Sequence, residues 1–163
     1  ILIILNLGEE DLSEGERLEK DFSSKLKFKH SLISAICGKL EMEISQLEEE
    51  DRASFLKELG LKEPAKNRMI STSYNLLGLI SFFTANQNEV KAWAIPSGTK
   101  ALKAASTVHT DMEKGFIKAE VINYDKLIEA GSIHHAKEKG LVRLEGKDYI
   151  VQDGDLIFFR FNV

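Results

Sequence analysis

The sequence predicts an α/β segment of β-α-β type with further helices, then an α+β unit in the strand–helix order of a β-grasp, the ubiquitin-like roll. Three observations carry this reading. First, ILIIL and KHSLISAI are short apolar runs separated by a polar, helix-periodic stretch, the pattern of two parallel strands joined by a crossover. Second, from Leu79 onward β-branched and aromatic residues dominate short runs: LISFFT, VKAWAI, FIKAEVI, KDYIV and DLIFFRFNV. Third, a helical piece falls between the first two of these runs and the rest, giving hairpin, helix, strands.

Taken in order, Ile1 to Leu5 is Ile-rich and reads as a fully buried strand of a parallel sheet. A buried strand at position 1, with no Met before it, leads to the expectation that the sequence begins inside a larger chain. NLGEEDLSEG reads as a loop, and Glu16 to Leu26 as a helix with Leu18, Phe22 and Leu26 on one face. Leu32, Ile33 and Ala35 belong to the second strand. Lys39 to Leu59 is helical in period, with one stripe of Leu40, Ile44 and Leu47 and another of Phe55, Leu56 and Leu59. The acidic run Glu48 to Asp51 complements the start of a helix. Gly60 stands where a helix-terminating glycine belongs, Pro64 follows, and Asn67 to Leu77 is a further helix running into Gly78. VKAWAI and IKAEVI alternate approximately, as half-buried strands do. Thr99 to Thr107 and Tyr124 to Ala130 read as helices, and GSIHHAKEKG as a short one. The composition shift near Gly78 predicts domains 1–78 and 79–163.

The 163 residues are 43% hydrophobic and 29% charged, with a net charge of -4, enough apolar content for a packed core. Residues 79–163 carry 11 basic and 11 acidic side chains, so the acidic excess sits in the front segment. That balance argues against nucleic-acid binding by bulk charge, though not against a local basic patch. The single cysteine, Cys37, precludes a disulfide within the chain and fits a reducing compartment. No apolar run approaches the roughly 20 residues of a membrane helix, so no membrane partner is expected.

Candidate chemistry is sparse. NLGE (Asn6, Leu7, Gly8, Glu9) follows the first strand at its C-terminal end, where open α/β sheets bind ligands. An Asn amide and a carboxylate at this spacing can converge on a purine edge, or can simply form a strand-to-helix loop. Ser34 and Ala35, at the end of the second strand, are small enough for backbone N–H groups to approach a ligand, or merely for a tight turn. His109 and Asp111 in HTDMEKGF could form an acid–base pair. They lack partners at ligand spacing in Cys37, His30, His134 or His135, so the preferred reading is that Asp111 caps or turns the backbone, Gly115 supplies a special φ and Phe116 starts a strand. Most of the aromatics are assigned to the core. No GxxxxGK[ST], GxSxG or HExxH motif is present, so no catalytic or metal-binding residue is assigned.

Several blocks together resemble one family. YNLLGLISFFTA, VKAWAIPSGTKA, TVHTDMEKGFIKAEVINYDKLIEAGS and VRLEGKDYIVQDGDLIFFRFNV are similar to the C-terminal TGS domain of the YchF / Obg-like ATPases. ILIILNLGE, HSLISAI and ISQLEEEDRASFLKELGL are similar to the end of that family's nucleotide domain. The resemblance implies a remnant of a P-loop NTPase domain followed by a β-grasp TGS domain. It implies that Asn6, Leu7 and Glu9 form the NxxE base-reading motif, replacing the NKxD of ordinary GTPases, and that Ser34 and Ala35 match the loop contacting the base through its backbone. Ile36-Cys37-Gly38 departs from the family pattern at that loop, where a Lys is usual.

The resemblance further implies a cytoplasmic NTPase using ATP or GTP with Mg²⁺ and associating with ribosomes or RNA. The phosphate loop and hydrolytic residues would lie in an upstream nucleotide-binding domain of the same protein, so this chain alone is expected to be inactive. A partner surface is expected on the second domain at Lys100, Lys103, His109, Lys114 and Lys118. The alternative is a non-catalytic β-grasp module for protein interaction or RNA binding.

Overall fold

A computed structural model describes residues 1–26, 31–86 and 88–162. The chain divides into two compact units, Ile1–Leu77 and Gly78–Val163.

The first unit is built on a parallel pair. Strand β1 (Leu2–Asn6) lies beside β2 (Leu32–Ile36) in the register Leu2↔Leu32 to Asn6↔Ile36. Parallel strands need a crossover; here it holds a 3-10 turn, Glu9–Glu14, and helix α1 (Gly15–Lys25). His30 lies outside the described residues. On α1 the expected apolar face is only partly used, for Phe22 stays 43% exposed.

The helix expected from Lys39 to Leu59 is two helices, α2 (Gly38–Gln46) and α3 (Glu49–Glu58). Both stripes exist, but the backbone opens to extended angles at Leu47 (φ -76, ψ 145) and Glu48 (φ -63, ψ 156). The break is held by side chains. Ser45 Oγ donates to the Met42 carbonyl at 2.7 Å, and Arg52 donates to the Leu47 carbonyl at 3.0 Å. Glu49, Glu50 and Asp51 then fill the first turn of α3, where the helix dipole favours them. Helix α4 (Ala65–Leu77) follows, its Ala65 N–H accepted by Glu41 at 2.7 Å.

The second unit is a five-stranded mixed sheet of order β4-β3-β7-β5-β6. β3 (Leu79–Ala85) and β4 (Val90–Pro96) form an antiparallel hairpin; β7 (Asp155–Phe161) runs parallel to β3 and antiparallel to β5 (Phe116–Asn123). The sheet is buried on both faces, because side chains alternate along a strand. Val121 and Ile157 enter one cluster with Phe82, Ile95, Ala104, Ala119 and Val151; their neighbours Ile122 and Leu156 enter another with Ala130 and Ala136. This explains why DLIFF and AEVI read as continuous apolar runs. Helix α5 (Ala101–Val108) buries Ala101, Ala104 and Ala105, residues small enough for close approach to the sheet. Helices α7 (Tyr124–Ala130) and α8 (Ile133–Glu138) supply Ala130 and Ala136 to the other face.

Three local expectations are corrected. KDYIV is not a strand; it makes only an isolated bridge, Lys100↔Ile150. Its carbonyls are used elsewhere, since Tyr149 O and Lys147 O accept the Ala101 and Leu102 N–H groups at 2.8 and 3.2 Å. They satisfy the first turn of α5, whose N–H groups have no partner within the helix. The short edge strand β6 (Arg143–Glu145) pairs with β5 instead. HTDMEKG holds a helical turn, α6 (Thr110–Lys114), capped by His109 rather than by Asp111. Gly115 after it has φ -94 and needs no special backbone angle. Its missing side chain matters for another reason: a Cβ there would lie 1.8 Å from the Asn162 carbonyl oxygen.

Candidate functional site

The adjacent C-terminal ends of β1 and β2 bring two short segments together, residues 6–9 and 37–39. Asn6 ends β1 opposite Ile36, and the Leu7 N–H continues the pairing to the Ile36 carbonyl at 2.8 Å. Beyond that point side chains take over. Asn6 Oδ1 accepts the Gly38 N–H at 3.0 Å, which leaves its Nδ2 as a further donor group. Gly38 permits this approach, as a Cβ on it would sit 3.2 Å from Asn6 Oδ1. One residue on, Lys39 Nζ lies 2.6 Å from Glu9 Oε1. The hydrogen bond and charge of Glu9 hold the Lys39 ammonium above its ordinary value. Both side chains are well exposed.

Ser34 and Ala35 do not join this cluster through their backbone. Both lie within β2, buried, with Ser34 opposite Ile4 and Ala35 opposite Leu5. The Ala35 N–H is accepted by Glu19 Oε1 at 2.6 Å, and its carbonyl accepts from Arg68. Two side chains from flanking helices therefore occupy the polar groups through which Ala35 was expected to meet a base. Ser34 Oγ is buried with no hydrogen-bond partner among the described residues. Ser34 and Ala35 pack within β2, with Ala35 also on the wall of an adjoining cavity; the segment that faces Asn6 and Glu9 includes Gly38 and Lys39. An open cavity of about 770 Å³ adjoins it, lined by Glu9, Glu19, Ala35, Ile36, Cys37 and Arg68 among others but not by Asn6, Gly38 or Lys39, within the size range of small-molecule sites.

Sequence reasoning missed Gly38, Lys39, Glu19 and Arg68. Gly38 and Lys39 directly follow the second strand, so the rule that ligands sit at strand C-termini could have singled them out. Glu19 and Arg68 sit in ordinary amphipathic helix text, and only the fold brings them to Ala35.

In the second unit, His109 is the N-cap of α6: its Nδ1 accepts the Asp111 N–H at 3.2 Å. The pair is thus used in holding a helix start. Lys100 Nζ pairs with Asp148 at 2.8 Å, and Lys103 stands 4.0 Å from Glu113. Lys114 and Lys118 are exposed with no ion-pair partner among the described residues. Lys118 lies opposite Arg160, which is itself bound to Glu120 at 2.9 Å.

Comparison with known proteins bears on the whole chain. The model of the family YchF-GTPase_C, described as a protein of unknown function (DUF933), matches residues 79–162, just over half of the sequence. The chain belongs to the YchF family. Its similarity to YchF proteins extends to the first unit as well. It is 42% identical to the ribosome-binding ATPase YchF of Bacillus subtilis over 165 residues, covering 100% of this chain and 45% of the relative. It is 45% identical to the Haemophilus ducreyi protein of the same name, covering 99% of this chain and 44% of that one. The chain thus spans under half the length of these YchF relatives. Among solved structures, the Schizosaccharomyces pombe YchF GTPase superposes with a TM-score of 0.84 at 28% identity, over 96% of this chain and 42% of that one. The shared architecture is mixed α/β.

Proposed function

We propose that this chain is the C-terminal half of a YchF-type nucleoside triphosphatase that works on the ribosome. In this reading residues 1–78 close a P-loop nucleotide-binding domain and residues 79–163 form a TGS domain of β-grasp form. The pairing of the second unit's first and last strands, β3 and β7, in parallel at mid-sheet supports the β-grasp assignment. The observation that carries the functional reading is the cluster at the strand ends. Asn6, Leu7 and Glu9 stand against Gly38 and Lys39 beside a cavity, in a chain similar over its whole length to ribosome-binding ATPases.

The residues present fit the base of ATP or GTP. Asn6 Nδ2 and the Leu7 carbonyl offer a donor and an acceptor, the Leu7 N–H being taken by Ile36, and Glu9 with Lys39 offers an acceptor and a donor. Ser34 and Ala35 support the loop from within the strand. The phosphates and Mg²⁺ belong to other parts of the full-length protein, and no hydrolytic role is assigned to a residue here. The second unit docks on ribosomal RNA or protein, Lys114 and Lys118 being exposed charges with no ion-pair partner among the described residues and Lys100, Lys103 and His109 their neighbours in sequence. A cytoplasmic location follows from a ribosomal partner.

The test is calorimetric titration of the full-length protein with ADP and GDP. Asn6→Ala is expected to weaken both about tenfold, the scale of one lost hydrogen bond in a dry site; unchanged affinities would remove the β1 end from the site. In parallel, Lys114→Glu with Lys118→Glu is expected to reduce ribosome co-sedimentation at low salt, with the gap to wild type narrowing as salt rises. Undiminished co-sedimentation would leave the second unit as an intramolecular or protein-packing module.

A further inference from the structure

We propose that the outer edge of β4 is a docking site for an extended protein segment rich in Arg or Lys, which joins the sheet as a further antiparallel strand. The inference is independent of the base site and of the lysines assigned to the ribosome. β4 stands at the end of the order β4-β3-β7-β5-β6, and among the described residues nothing pairs with its far side. The groups offered on that side follow from the hairpin. The Asn86 N–H donates to the Glu89 carbonyl at 2.9 Å, and the Ser97 N–H to the Gly78 carbonyl at 2.8 Å. These two bonds continue the β3–β4 register at either end. Hydrogen-bonded pairs alternate along an antiparallel ladder, so Lys91, Trp93 and Ile95 turn their backbone groups toward β3. Val90, Ala92 and Ala94 turn theirs outward. All three are exposed, and such a row is a template for another strand.

The side chains decide which segment fits. Ala92 and Ala94 stand opposite Phe83 and Ser81 and share their face of the sheet. Phe83 and Ser81 line a cavity of about 320 Å³ together with Tyr124, Asp125 and Asp153. The Phe83 and Tyr124 ring centroids are 6.2 Å apart, and Tyr124 is half-exposed. Asp153 Oδ1 accepts the Ser81 N–H at 2.7 Å. Asp125 and Asp153 are exposed, and neither has an ion-pair partner among the described residues. The cavity therefore presents uncancelled negative charge beside aromatic rings, and both attract a guanidinium or an ammonium. In an antiparallel pair, the residues that exchange bonds with Ala92 and Ala94 carry their side chains on this same face. Those side chains start about 10 Å from β3, two strand spacings away. The small side chains of Ala92 and Ala94 leave the path across β4 open, and a long basic side chain can follow it to the cavity. Backbone bonds then supply the affinity and the cavity supplies the preference for positive charge.

The experiment titrates the full-length protein against a fluorescein-labelled Arg-Val-Arg-Val-Arg-Val peptide, read by anisotropy. A dissociation constant below about 1 mM is expected. Methylating the backbone nitrogens of the Arg residues, which face β4, is expected to abolish binding. Methylating those of the Val residues, which face away, is expected to spare it. Asp125→Asn with Asp153→Asn keeps the oxygen that holds Ser81 and is expected to weaken the peptide about tenfold. Ala92→Pro removes one outward N–H from an edge position that tolerates proline, and is expected to weaken it at least as much. No binding at about 1 mM, equal affinities of the two methylated peptides, or unchanged affinity in the folded Asp125→Asn, Asp153→Asn protein would overturn the proposal. So would a wild-type protein that self-associates in sedimentation velocity and becomes monomeric with Ala92→Pro, for the edge would then belong to a second copy of the chain.

Discussion

Asn6 and Gly38 join the ends of two parallel strands through one side-chain bond: Asn6 Oδ1 accepts the Gly38 N–H at 3.0 Å, 32 residues apart in sequence. The bond continues a backbone ladder that stops at Leu7 and Ile36. It keeps Glu9 and Lys39 within reach of each other. Asn6→Ala is expected to lower stability by about 1 kcal/mol, the usual net value of one hydrogen bond. Asn6→Asp keeps the accepting oxygen and should lose less. Urea denaturation of the two variants checks this, and equal losses would show that the bond does not hold the loop.

Gly115 is required for space. With a Cβ placed 1.8 Å from the Asn162 carbonyl oxygen, Gly115→Ala must displace the backbone where β5 begins and β7 ends. A loss of about 3 kcal/mol is expected, the upper part of the overpacking range. Gly146→Ala is the control, since a Cβ there meets nothing within 4 Å; it should stay within about 0.5 kcal/mol of wild type. Thermal unfolding of both variants decides the matter.

Glu120 lies between two cations, Arg160 at 2.9 Å and Lys137 at 3.0 Å. The Arg160 hydrogen bond, then the Lys137 ammonium, hold its carboxyl below the ordinary value of 4.5, against the opposing effect of burial. The folded state therefore favours the charged form. This stabilisation is present above pH 4.5 and is lost as pH falls through the depressed folded-state value. Glu120→Gln is expected to cost about 1.5 kcal/mol at pH 7, with the gap to wild type closing in acid. A gap independent of pH would contradict the assignment.

Tyr149 titrates at the other end of the scale. Burial, then its hydrogen bond to the Asp155 carboxylate at 2.7 Å, pushes the phenol up to about 12, with Arg143 opposing. The protonated form is favoured on folding, so its contribution is complete below pH 10 and is lost as pH rises toward 12. Tyr149→Phe leaves Asp155 Oδ2 with the Gln152 N–H alone. The expected cost is about 1 to 2 kcal/mol near neutrality, shrinking in alkali. Chemical denaturation at pH 7 and above pH 10 measures both values.

The parts of this fold that could be read from the sequence are those where one physical pattern dominates. Apolar runs marked β1 and β2, β-branched and aromatic content marked β3, and approximate alternation marked β4 and β5; β1, expected to be fully buried, is only half-buried along Leu2 to Leu5. The break at Leu47 was not legible, since helical period continues through it and the deciding contacts are single bonds from Ser45 and Arg52. KDYIV has the composition of a strand, yet its carbonyls are spent on α5, a tertiary demand that composition does not record. At the site, Asn6 and Glu9 could be named from their place after a strand. Ser34 and Ala35 were named from size, and size there reflects packing inside β2. Lys39 lies just past β2 as Glu9 lies just past β1, but its partner stands after the other strand, and only the parallel register brings the two together.

The central claim is that a nucleotide base sits at the ends of β1 and β2. Hydrogen exchange of the full-length protein, followed by mass spectrometry with and without saturating ADP, tests it most directly. The account predicts slowed exchange in peptides covering residues 6–9 and 36–39, with little change across residues 116–123 and 155–161. Saturating ADP binding with no added protection at residues 6–9 and 36–39 would contradict it.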